Sequence, residues 1–125
     1  MSLEFNKITK QYKSIISSYR IMRFEQAGTS LKLRAVVEFT DASILHIRET
    51  VINGIKRKYA YHWQDKNENT IIRWDNAPDW DVITFPHHKH IGMENRIEPS
   101  YERNIEQILT LISENISTCD FCTQS

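Results

Sequence analysis

Long apolar runs are missing from this sequence: no hydrophobic stretch exceeds three residues, far short of the ~20 that a membrane helix needs. Residues Met1 to Lys7 show no basic-then-apolar export signal, so the expectation is a soluble, cytoplasmic protein. Cysteine is scarce. Cys119 and Cys122 are the only two, too few for a disulfide scaffold, and no thioredoxin-like βαβ pattern surrounds their CxxC. Glycine and proline number three each, and there is no Gly-rich phosphate loop, nucleophile elbow or HExxH, so hydride transfer and ATP-driven chemistry lose most of their support. Net charge of one sign is lacking too: 16 Lys+Arg balance 16 Asp+Glu, which weakens any general claim to nucleic-acid binding.

What is present suits one compact domain. A chain of 125 residues, 40% hydrophobic and 10% aromatic, should fold to a radius of about 14 Å. It should bury roughly two-thirds of its unfolded surface without a structural metal. The neutral total hides an asymmetry, because residues 1–62 carry 11 Lys+Arg against 5 Asp+Glu and residues 63–125 carry 5 against 11. If the fold keeps the halves apart, one face attracts phosphate and the other a basic partner; if the sheet interleaves them, the field cancels.

Phe5, Ile8, Tyr12, Ile15, Ile16 and Tyr19 recur at three- and four-residue steps and predict an amphipathic helix over residues 3–18. Residues 20–27 read as extended and Gly28-Thr29-Ser30 as a turn. From Leu31 to Phe39 apolar and polar residues alternate as in a half-buried strand. Further strands follow over residues 43–51, 56–64 and 70–74, separated by Thr40-Asp41-Ala42, the hairpin dipeptide Asn53-Gly54 and the polar run 65–69. From Asn76 to Pro99 the periodicity fails, and such a long irregular segment is expected to be functional or disordered. Ser100 opens a capping-box pattern with Arg103, and Tyr101, Ile105, Ile108, Leu109 and Ile112 form the stripe of a last helix to about Ile116. The reading is therefore an α+β domain over residues 1–116, an antiparallel meander of four to six strands with a helix at each end, followed by a flexible tail over 117–125.

Four of the five histidines lie between His62 and His90, with His87, His88 and His90 packed around Lys89 after Thr84-Phe85-Pro86. In an extended segment His88 and His90 share one face and His87 and Lys89 the other. Imidazoles move protons near neutral pH, and a nearby cation stabilises charge accumulating on a phosphate. Asp75, at the end of the preceding strand beside Arg73, Trp74 and Asn76, is placed to orient an imidazole or to join it on a metal. His62 falls on the strand face opposite Tyr59, Tyr61 and Trp63, an aromatic stripe that reads as core before it reads as a platform for bases. A solvated histidine loop is the bland alternative, as a surface pair is for Arg48. A zinc site shared by His88, His90 and the CxxC matches no finger spacing.

Taken in order, Leu45-His46-Ile47-Arg48-Glu49, Lys58–Asp65, Arg73–Pro78 and Thr84–His90 resemble the TumE family of small prokaryotic toxins, over roughly residues 31–112. The resemblance implies a growth inhibitor restrained by a cognate antitoxin of the helix-turn-helix type. It does not carry over catalytic roles. From chemistry, the candidate catalytic residues are His62, Asp75, His88, Lys89 and His90, with Arg48, Tyr61, Arg73, Asn76 and His87 binding substrate. The first expectation is a metal-independent ribonuclease that needs no cofactor: one imidazole takes the 2′-OH proton, another protonates the leaving oxygen, and Lys89 or Arg73 stabilises the phosphorane. The alternatives are a non-catalytic module that inhibits a macromolecular partner, and a metal-dependent hydrolase using His88, His90 and Asp75 as ligands. An exposed sheet edge leaves a homodimer open.

Overall fold

The alternating segments form strands that follow one another across a single antiparallel sheet in the order of the sequence. The computed structural model describes the backbone of residues 3–124 and the side chains of residues 4–116. Helix α1 (Leu3–Gln11) leads into β1 (Ile16–Ala27), β2 (Ser30–Phe39), β3 (Ile44–Ile52), β4 (Lys56–Gln64) and β5 (Thr70–Asp75), then β6 (His88–Ile91), β7 (Arg96–Pro99) and helix α2 (Ile105–Gln124). The sheet is a seven-stranded meander, one strand more than the upper expectation. Among the described residues, no helix is long and apolar enough to cross a membrane.

Strand alternation gives the sheet two unlike faces. Leu33, Ala35, Val37 and Phe39 of β2, Leu45 and Ile47 of β3, and Tyr59, Tyr61 and Trp63 of β4 are buried on one of them. Both helices contribute to the same core, α1 through Phe5 and α2 through Ile105, Ile108, Leu109, Ile112 and Ile116. The aromatic stripe of β4 is therefore core, as its pattern suggested. Tyr12 of the α1 turn and Thr110 of α2 share a hydroxyl hydrogen bond of 2.6 Å, joining the two helices above the sheet.

Three expectations are corrected. The first helix ends at Gln11, not at residue 18, because Ser14 to Ser18 combines serines with β-branched Ile15 and Ile16, residues that favour strands. Ser17 Oγ donates to the Glu38 carbonyl at 3.1 Å and Thr40 N–H to the Ile15 carbonyl at 2.8 Å, tying this segment to β2. The last helix is capped by Asn104 and not by Ser100. Asn104 Oδ1 accepts from Gln107 N–H at 2.9 Å, and Gln107 Oε1 accepts from Asn104 N–H at 3.1 Å, a reciprocal capping box. Tyr101, placed in the helix stripe by its spacing, lies before the cap and is exposed. Finally, the segment 76–99 contains two strands, β6 and β7. The α2 backbone continues past Ile116 to Gln124, while the side chains of the proposed tail, including Cys119 and Cys122, lie outside the described residues.

Candidate functional site

The face of the sheet opposite the helices carries two cross-strand rows that end at the same place. In one, register pairs Arg20 with Val36, Val36 with His46, His46 with His62, His62 with Arg73 and Arg73 with His90. In the next, Arg23 pairs with Arg34, Arg34 with Arg48, Arg48 with Ala60, Ala60 with Asp75 and Asp75 with His88. An open concavity of about 1070 Å³ lies over these rows, lined by Arg20, Arg34, Arg48, Lys58 and Arg73, with Asp75 its single carboxylate. Arg34 and Arg48 stand directly opposite each other, an arrangement that costs stability, and neither has an ion-pair partner among the described residues. Such a row is suited to an anionic ligand.

At the far end of the rows β5 and β6 bring Asp75, His88 and His90 together. His88 Nε2 is 2.9 Å from Asp75 Oδ1, His90 Nε2 is 3.4 Å from Asp75 Oδ2, and the two Nε2 atoms are 3.1 Å apart. All three residues are buried, the imidazoles almost completely. His88 Nδ1–H donates to the Pro86 carbonyl at 2.9 Å, which leaves Nε2 facing the carboxylate. Arg73 donates from Nε to Asp75 Oδ2 at 3.1 Å and from Nη2 to His90 Nε2 at 3.0 Å. Asp75 Oδ1 also accepts from Ala77 N–H at 3.0 Å, so the start of the β5–β6 loop is held to the cluster.

Trp80, from the middle of that loop, covers both imidazoles edge-on, with centroids 6.4 Å from His88 and 5.9 Å from His90. The covering tryptophan was not singled out from sequence. The cationic row was not either, although the signal was there: Arg34, Arg48 and Lys58 recur on the polar side of successive strands. Burial, the Arg73 guanidinium and the His88 ring hold His90 below the usual imidazole range, with Asp75 opposing them. His62 lines the concavity, where its Nε2 shares a hydrogen bond of 2.8 Å with Thr70 Oγ1. Burial and the neighbouring Arg73, His46 and His90 lower its pKa as well.

Of the candidate residues, the fold gathers Asp75, His88, His90 and Arg73 in one cluster, and places His62, Arg48 and Asn76 around the concavity beside it. Lys89, Tyr61 and His87 are not part of it. Lys89 pairs with Trp74 and so projects to the opposite face, as period two requires. Tyr61 is buried in the core, its hydroxyl bonded to Glu49 at 3.1 Å and to Arg57 at 2.6 Å. His87 stacks on Tyr59 and shares a 2.9 Å hydrogen bond with its hydroxyl. Asn76 spends both ends of its amide on the backbone of β4, accepting from Tyr59 N–H at 3.0 Å and donating to the Arg57 carbonyl at 2.8 Å.

A family model described as Toxin TumE matches residues 5–116, nearly the whole described chain. The chain belongs to the TumE toxin family. Membership extends the likeness seen in the sequence to α1 from Phe5 onward and to α2 as far as Ile116, and a toxin of this kind implies an antitoxin partner. No curated protein and no solved structure gives a match.

Proposed function

We propose that this toxin acts on RNA, holding the phosphate backbone along the two rows of the open face and cleaving it at the end where Arg73 and Asp75 line the concavity. One observation carries the reading: a surface of five cationic side chains and one carboxylate runs directly into a cluster of proton-handling groups. His62, with a pKa lowered by burial, is neutral at pH 7 and able to accept the 2′-OH proton. The 2′-oxygen then bonds to phosphorus, the bond from phosphorus to the 5′-oxygen breaks, and a 2′,3′-cyclic phosphate is left. Arg73, held by Asp75, stabilises the charge on the phosphorane in place of Lys89, and the 5′-oxygen takes up the proton that His62 removed from the 2′-OH. The restraining partner is, by the resemblance, a helix-turn-helix antitoxin.

The test is incubation of purified protein with total RNA and analysis of the fragment ends. Cyclic phosphates are expected, with His62→Ala and Arg73→Ala each slowing cleavage by about 100-fold or more. Cleavage undiminished in both variants would remove the mechanism. A second reading is favoured by one fact, the near-complete burial of His88 and His90 beneath Trp80. In that reading the cluster is a structural clamp and the open face inhibits a partner by binding alone. Tight association without any turnover is its signature.

A further inference from the structure

Within the buried cluster the two imidazole Nε2 atoms are 3.1 Å apart, and they lie 2.9 Å and 3.4 Å from Asp75 Oδ1 and Oδ2 respectively, so one ligand atom from each of the three residues falls within 4.8 Å of the others, close enough to share one cation. Nitrogen and oxygen ligands at about 2.1 Å from a metal lie about 3.0 Å apart at right angles and about 3.4 Å apart at tetrahedral angles. We propose that Asp75, His88 and His90 form a binding site for a divalent transition-metal ion of the zinc class. The inference deepens the ribonuclease reading and rests on it only for what the ion does, not for whether the ion binds.

Hydrogen-bond arithmetic points the same way. With its Nδ1 proton committed to the Pro86 carbonyl, a neutral His88 presents a bare lone pair at Nε2. His90 Nε2 accepts from Arg73, so it too faces inward with a lone pair. The His88 Nε2 lone pair and the Asp75 carboxylate thus face each other at 2.9 Å inside the protein with no proton between them, and such a contact between acceptors is costly. A positive centre among them removes the conflict. The bond from His88 Nδ1–H to a backbone carbonyl is also the outer contact that metal-bound histidines commonly make, because it fixes the tautomer and turns Nε2 toward the ion. His90 Nδ1 is buried without a hydrogen bond of good geometry among the described residues, with the Asn95 side chain as a neighbour.

Three protein ligands leave a coordination position free. Asp75 and Arg73 line the concavity while Trp80 covers the imidazoles, so the free position is assigned to the Arg73 side. The Arg73 side chain is 41% exposed and has room to release His90 and turn toward a phosphate on the open face. Two imidazoles and one carboxylate suit zinc or manganese better than magnesium or calcium, which prefer oxygen.

Chelator-stripped protein is titrated with Zn²⁺ in the absence of RNA, with affinity read by competition against a chromophoric chelator. One equivalent per chain should bind and raise the melting temperature. Asp75→Asn and His90→Gln should each weaken binding by more than about 100-fold, beyond what the loss of an outer-shell partner does. The Cys119→Ser/Cys122→Ser double variant should bind as the parent does. Because a cluster variant that fails to fold would be mute, the parent is also titrated with Co²⁺, whose spectrum should lack thiolate charge-transfer bands. No binding, thiolate bands, or loss of the site in the cysteine variant alone would overturn the proposal. Zinc binding without RNA cleavage would instead overturn only the ribonuclease reading, and cleavage by metal-free protein that takes up no zinc would overturn only this one.

Discussion

Single residues divide sharply by the face they occupy. Tyr61, a substrate-binding candidate as a position of the family-like segment Lys58–Asp65, sits among core side chains, where burial and Glu49 push its phenol well above the usual range. Its hydroxyl links Glu49 and Arg57, so Tyr61→Phe should cost about 1–3 kcal/mol by urea unfolding. Any RNA cleavage should be unaffected; a selective loss of cleavage with full stability would return Tyr61 to the site. His62 makes the complementary prediction. Its folded pKa lies below the unfolded value of about 6.5, so the folded chain binds fewer protons than the unfolded one as pH falls past that value. Stability therefore drops on acidification, and in chelated protein His62→Asn should flatten part of the decline seen in unfolding midpoints below about pH 6.5. Identical pH profiles for parent and variant would contradict this assignment.

At the scale of elements, what the sequence made legible was hydrophobic alternation, and what it hid was alternation of another kind. Strands β2, β3 and β4 were readable because Leu33 to Phe39, Leu45 to Ile47 and Tyr59 to Trp63 set apolar against polar residues. In β6 the buried face is made of His88 and His90 themselves, so a test for apolar periodicity finds nothing there. The pairing of His88 with His90, and of His87 with Lys89, could nonetheless be read from period two alone. Helix α1 was overextended because Ile15, Ile16 and Tyr19 fit helical spacing as well as they fit a strand. The cap of α2 was misplaced because Ser100 and Arg103 mimic the pattern that Asn104 and Gln107 fulfil. Asn104→Ala should destabilise the fold by about 1 kcal/mol in chemical denaturation, whereas Ser100→Ala should leave the start of the helix intact.

For the whole molecule, the cation-rich first half of the chain supplies most of the positive charge of the open face. Most of the cations over the concavity come from β1 to β4, and the helices lie on the other side of the sheet. If the open face holds an RNA backbone, Arg34→Ala and Arg48→Ala should each reduce the slope of log affinity against log salt by about 0.7 for a single-stranded oligonucleotide. Neither change should lower the melting temperature, since each relieves a like-charge pair. A slope unmoved by both would place the ligand elsewhere.

Strictly sequential strand order has a kinetic consequence. No strand must wait for a partner from a remote part of the chain, so the sheet can grow by annealing each new strand to the one before it, a route whose loop-closure cost stays small. The fifth addition, that of β6, completes the Asp75–His88–His90 centre, and α2 comes later in the chain. Folding along that route assembles the reactive centre on one face of the sheet before α2 covers the other, and pulse-labelled hydrogen exchange should find β2 to β5 protected ahead of the helix that packs on them.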